Sequence, residues 1–234
     1  MNDTIARTLR SAARTRGRRV LLVVTFAVGA LAAAGLMAGL PPAELTFATI
    51  AQQVHLLISV PLPFIGVLLA NGLRKAAGGR VLPALAGAVL IAVAAGFAGN
   101  AFSVAALAAS ESTAPDPWAH AGVIAVAGVL VQILAQLVGT GLGLLIERPV
   151  WGCLGTIVLP LGAYTLLAPL GAARGWLTPY GAAQEVLAGS AGVAGWAGWT
   201  TTALLWGLAL NAAGAVLLRR RPVRVAPPAV SSAR

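Results

Sequence analysis

The side chains of this chain that could do chemistry are few, and those inside its apolar stretches are uncharged. Gln132, Gln136 and Thr140 stand at i, i+4 and i+8, a spacing that lines them along one face of a helix. Gln52, Gln53 and His55 group in a second apolar stretch, Asn100 and Ser103 in a third, and Asn211 lies in the last one. Amides and hydroxyls in such surroundings hydrogen-bond helix to helix, each bond contributing about 0.6–2 kcal/mol. Alternatively they form a polar strip along a substrate path, and Gln132, Gln136, Thr140, Asn100 and Asn211 are the residues for that role. Ion coupling and proton relay draw on carboxylates and basic groups embedded in the membrane. No Asp, Glu, Lys or Arg occupies the middle of an apolar run, which argues against both.

Catalytic signatures are missing from the sequence. It has no GxxxxGK[ST] phosphate loop, no HExxH pair and no Gly-x-Ser-x-Gly elbow. The one cysteine, Cys153, excludes an internal disulfide framework and a cysteine metal cluster, and reads as a small packed hydrophobe. The two histidines, His55 and His120, are far apart in sequence, and nothing in the sequence supports His55 as a pH switch. The sequence offers no catalytic, cofactor-binding or metal-binding set. It is expected to be no enzyme and to hydrolyse no ATP by itself.

The elements that must position these side chains are membrane helices. Of 234 residues, 59% are hydrophobic and 9% charged, and the mean hydropathy is +0.88. A soluble domain carries roughly 25% charged residues. In lipid every backbone group must be satisfied within the protein, which leaves helices or a closed barrel. The apolar runs are long and lack period-2 alternation, so helices are predicted. Six spans emerge, near residues 20–40, 46–70, 81–107, 121–146, 150–170 and 198–218. The fold class is therefore all-α and polytopic. Residues 1–19 precede the spans and read as a basic amphipathic helix on the membrane surface, with Ile5 and Leu9 on one side and Arg7, Arg10 and Arg14 around them. Residues 219–234 form a tail rich in Pro and Ser that is expected to be disordered.

The net charge of +10 does not signal nucleic acid, because the basic residues flank apolar spans. They read as topology signals and contacts to lipid headgroups. With six spans, 15 of the 16 basic residues fall on one side and Arg174 alone on the other. The positive-inside rule then places both termini in the cytoplasm. Arginine outnumbers lysine 15 to 1, and Ala, Gly and Pro are abundant, a bias that suggests a high-GC bacterial genome and, with the apolar spans, a bacterial cell membrane.

Residues 171–197 are too polar and Gly-rich to span, yet too apolar for a water loop. Pro61 and Pro63 interrupt the second span, and Pro160 and Pro169 the fifth, each removing a backbone donor. Two Gly-x-x-x-Gly pairs, Gly35/Gly39 and Gly139/Gly143, offer close helix contact, a weak signal in a chain with 28 glycines.

This layout resembles the six-span permease subunits of ABC-2 type exporters. The likeness covers nearly the whole chain and rests on several features together. They are the basic N-terminal helix, the NGLRKAAGGR loop, the tight Glu147-Arg148-Pro149 turn, the proline-bearing fifth span, the segment Gly175–Leu187 and the closing LLRRRPV. The resemblance implies two permease subunits, identical or not, working with a separate cytoplasmic ABC ATPase that binds the ATP. It implies that Arg7, Arg10, Arg14, Asn71, Arg74, Lys75 and Arg80 dock that ATPase. It also implies a re-entrant outer segment carrying Trp176, Pro179, Tyr180 and Glu185, and outward movement of an amphipathic antibiotic, peptide or lipid-like molecule. A membrane scaffold or assembly protein is the alternative, and an ion-coupled secondary transporter a more distant one.

Overall fold

A computed structural model describes residues 15–75 and 81–220. Arg7, Arg10, Arg14 and Arg80 lie outside the described residues, as do the amphipathic segment before residue 15 and the tail after residue 220. All regular structure among the described residues is helical, and six helical stretches are long and apolar enough to cross a membrane. The chain is an all-α polytopic protein.

The first span is α1 (Arg16–Gly39). The second is broken into α2 (Phe47–Ile58) and α3 (Leu62–Lys75). The third is α4 (Val81–Ala109), the fourth α5 (Ala121–Leu145) and the fifth α6 (Pro149–Leu166). Two short helices, α7 (Ala173–Leu177) and α8 (Pro179–Leu187), come next. The sixth span begins as α9 (Val193–Thr202), continues through seven π-helical residues (Ala203–Ala209) and ends as α10 (Leu210–Arg220).

The break in the second span follows from its prolines. Pro61 and Pro63 carry no N–H, so the carbonyls of Leu57 and Ser59 lose their helical donors. Local bonds take over: Val60 N–H donates to the Leu57 carbonyl at 3.3 Å and Ser59 Oγ to the Leu56 carbonyl at 2.7 Å. The fifth span keeps Pro160 inside an unbroken helix, but ends at Leu166 where a 3-10 turn, Ala168–Leu170, holds Pro169.

Helix α5 is the centre of the bundle and packs on α2, α3, α4, α6, α8 and the last span. Lipid tails are as apolar as leucine, so close packing and polar bonds must hold the spans together. Glycines supply the closeness. A Cβ on Gly139 would fall 2.7 Å from Pro63 Cα, and one on Gly143 2.7 Å from Val67 Cα. Gly66 meets the backbone of Gln136 and Thr140 from the other side, so α3 and α5 touch backbone to backbone. The Gly35/Gly39 pair does nothing comparable, since a Cβ at either would meet no atom within 4 Å.

At one end of the bundle the two inter-span connections are tied together. Phe47 N–H donates to the Pro117 carbonyl at 2.7 Å, and Ser112 Oγ to the Leu45 carbonyl at 2.7 Å. Thr46 caps α2 by accepting from Thr49 N–H at 3.1 Å. Trp118 stacks on Phe47 there, with ring centroids 5.8 Å apart. At the opposite end Arg18 donates to the Leu68 carbonyl at 2.8 Å, clamping α1 to α3.

Candidate functional site

Four of the five residues read as a substrate path join two buried networks on α5, whereas Gln53 is exposed and Ser103 bonds back to the Gly99 carbonyl of its own helix. In the first, His55 Nε2 bonds Asn100 Oδ1 at 2.9 Å, while Gln132 Nε2 reaches His55 Nδ1 at 3.3 Å and the His55 carbonyl at 2.9 Å. Asn100 Nδ2 donates onward to the Ala125 carbonyl at 3.0 Å. Asn100 Oδ1 can only accept, so Nε2 carries the ring proton and Nδ1 accepts from Gln132. Both ring nitrogens have a partner, and the imidazole joins α2, α4 and α5. Gly99 and Gly128 let the ring lie against backbone; a Cβ on Gly99 would sit 2.7 Å from the ring.

In the second network Thr140 Oγ1 donates to Asn211 Oδ1 at 2.9 Å, and Asn211 Nδ2 donates to the Leu137 and Gly207 carbonyls at 2.7 Å each. This network fixes α10 on α5. Between the two lies Gln136, fully buried, whose amide oxygen and nitrogen find no partner among the described residues; Gln132 Oε1 is also unpaired. An unsatisfied buried amide costs roughly 1–3 kcal/mol.

The five residues read as a substrate path thus meet at helix interfaces. None lines the apolar cavity of the bundle. That cavity, about 250 Å³, lies where the break in the second span, α5, α6, α8 and α9 converge. Its wall is almost wholly apolar and includes Ser59, Pro63, Val138, Pro160, Tyr180 and Trp199. Two of the four prolines singled out in the sequence face it. The α5 side is the Val131/Leu134/Val138 stripe, a face turned away from the Gln132/Gln136/Thr140 row.

The stretch after α6 forms a helical hairpin whose tip inserts among the spans. Thr178 sits at the tip, fully buried; its Oγ1 donates to the Arg174 carbonyl at 2.8 Å and accepts from Gly181 N–H at 3.4 Å. Pro179 at the first position of α8 needs no donor there. The last span holds α7 through its own side chains: Thr202 Oγ1 donates to the Trp176 carbonyl and Trp206 Nε1 to the Leu177 carbonyl, both at 2.8 Å. Trp206 is about halfway along the sixth span, so the hairpin tip reaches that depth. Gly198 gives room for the Trp176 indole, since a Cβ there would come within 3.0 Å of the ring. Helix α8 then runs back toward the bundle end along α5, with Ala182, Ala183, Val186 and Leu187 buried. Gly189, at φ +77°, closes it beside Ile124.

Of the hairpin residues expected from sequence, Pro179 and Tyr180 line the cavity, Trp176 packs under α9, and Glu185 stays exposed. Trp199 is buried and forms part of the cavity wall. Among the expected docking residues, Lys75 is exposed. Asn71 is buried and donates to the Val67 carbonyl at 3.2 Å. The Arg74 side chain is 6% exposed and pairs with Glu147 at 3.0 Å, joining the end of α3 to the turn before α6. Sequence reading gives no site role to His55, Trp199 or Trp206. Their signal was type alone, and only the packing reveals what each touches. The chain matches no family model, no curated protein and no solved structure.

Proposed function

We propose that this chain is the membrane-spanning subunit of an ATP-driven exporter of the ABC-2 type, paired with a second permease subunit and a separate cytoplasmic ATPase. In this reading it sits in a bacterial cell membrane with both termini inside, and moves an amphipathic molecule outward. The observation that carries the proposal is the apolar cavity under the inserted hairpin. It lies where a proline-broken span, a proline-bearing span and a re-entrant segment meet, which are the parts of such a bundle able to move. Its wall suits an apolar group and offers nothing to an ion. The charge distribution supports the orientation: Arg16, Arg18, Arg19, Arg74, Lys75, Arg148, Arg219 and Arg220 all lie at the bundle end opposite the hairpin.

The test is purification of the tagged full chain from its native membranes, followed by ATP turnover and ATP-dependent loading of inverted vesicles. A co-purifying P-loop ATPase whose turnover responds to amphipathic substrates is the expected result. Failure to recover any ATPase refutes the proposal. For docking, Lys75→Glu is the informative charge reversal, because reversing the buried Arg74 also breaks its pair with Glu147.

A further inference from the structure

A second recess lies beside the cavity, on the hairpin side of the bundle. It is open, about 370 Å³, and is lined by Tyr164, Arg174, Gln184 and Glu185 with several glycines and an alanine. Arg174 is the one arginine or lysine at this end of the bundle among the described residues, and its guanidinium rests on the Tyr164 ring, 4.4 Å from the centroid. Glu185 holds its carboxylate near Gly175 and Gly195, with Oε2 3.6 Å from a Cβ placed on Gly175. No ion pair within 4 Å joins Arg174 to Glu185, or either of them to any other described residue. Opposite charges therefore face one recess without neutralising each other.

Tyr180, which lines the cavity, touches two residues of the recess. Its ring lines the apolar cavity and meets Tyr164 edge-on at 5.0 Å, while its hydroxyl accepts from Gln184 Nε2 at 3.1 Å on the recess side. An apolar chamber thus adjoins a polar one carrying a separated positive and negative charge.

We infer that the two spaces together form one site for a single-chain amphipath with a zwitterionic head. The apolar chain occupies the cavity, the anionic group of the head meets Arg174, and its ammonium meets Glu185. A purely anionic head gains Arg174 but faces Glu185, and a purely cationic head has the reverse conflict. The inference deepens the export reading by naming the substrate class, and it rests on that reading only for its claim that the bound molecule is cargo.

The experiment uses the purified full chain in nanodiscs and three probes. Each has the same diazirine-bearing acyl chain, with a phosphocholine, a phosphate monoester or a trimethylammonium head. The expected result is photolabelling of cavity residues such as Val138, Pro160 or Leu161, strongest for the phosphocholine probe. Both charges are partly exposed, so each contributes modestly: Arg174→Gln or Glu185→Gln should weaken competition by unlabelled phosphocholine amphipath about fivefold at most. Arg174→Gln should also shift preference toward the cationic head, and Glu185→Gln toward the anionic one. The exchange R174E/E185R should recover zwitterion preference, which a merely unfolded variant cannot do. Equal labelling by all three heads, or labelling that misses the cavity, overturns the inference. Labelling needs no ATP, so its failure leaves the export proposal standing, and absence of an ATPase leaves the site standing.

Discussion

Adding one methyl group to Gly139 tests whether backbone contact between α3 and α5 holds the bundle together. A Cβ at this position would lie 2.7 Å from Pro63 Cα and 2.8 Å from Pro63 C, both backbone atoms that cannot rotate away. Carbon atoms rest at about 3.5–4.0 Å, so Gly139→Ala must push the helices apart by roughly 1 Å. A gap of about 0.5–1 Å forfeits a quarter to a half of each dispersion contact along the crossing. With the usual overpacking cost of about 1–3 kcal/mol, the upper half of that range is expected here, near 2 kcal/mol. The control is Gly35→Ala on α1, where a Cβ meets nothing within 4 Å. That change should stay within about 0.5 kcal/mol. The assay is reversible unfolding in mixed micelles with increasing dodecyl sulfate, followed by tryptophan fluorescence. Gly139→Ala and Gly143→Ala should both unfold earlier than wild type, and Gly35→Ala should not. Indistinguishable midpoints for Gly139→Ala and Gly35→Ala would refute the argument that contact partner, rather than the glycine pair itself, decides the energy.

Two glutamines one turn apart should respond in opposite directions in the same assay. Gln136→Leu removes an unpaired buried amide and should stabilise by up to about 1–3 kcal/mol, whereas Gln132→Leu strips His55 of two bonds and should destabilise; a loss of stability in Gln136→Leu sinks this reading. A double-mutant cycle of Thr140→Val and Asn211→Leu should give a coupling of about 0.6–1.7 kcal/mol, and zero coupling would mean that their bond does not hold α10 to α5. Trp206→Phe deletes the donor to the Leu177 carbonyl while keeping an aromatic ring. Amide exchange through Leu177–Leu187 should then speed up about fivefold, for a bond worth about 1 kcal/mol. Exchange unchanged there, measured by mass spectrometry in detergent, would show that the hairpin is anchored elsewhere.

The number of spans and their rough limits were legible because each apolar run is long and the charges between runs alternate in side. The stretch 171–197 was legible as too polar and Gly-rich to cross, while its insertion among the spans was only an implication of the resemblance. The second span was harder: Pro61 and Pro63 mark an interruption in the sequence, but only the structure decides that it parts the span into α2 and α3 rather than bending one helix. The polar residues were recognisable, but their partners were not. A glutamine on an apolar helix looks the same whether it bonds a histidine, as Gln132 does, or nothing described, as Gln136 does. The same holds for the two glycine pairs, alike in spacing and opposite in fate. The buried Arg74 shows the converse, since a basic residue at a helix end reads as a surface charge until Glu147 is seen to cover it.

The seven π-helical residues from Ala203 to Ala209 impose a counting rule on the sixth span. Above them Thr202 is held against α7, and below them Asn211 is held against α5. A regular α-helix turns about 100° per residue, so nine steps from Thr202 would leave Asn211 on the opposite side. The wider turn lags behind that rotation, and both Thr202 and Asn211 reach their partners. The span is therefore a mechanical coupling whose setting depends on chain length. Returning 203–209 to regular α-helix at the same length would rotate Asn211 away from α5 relative to Thr202 on α7, whereas removing one residue together with the widened turn would leave the two halves in nearly the same phase.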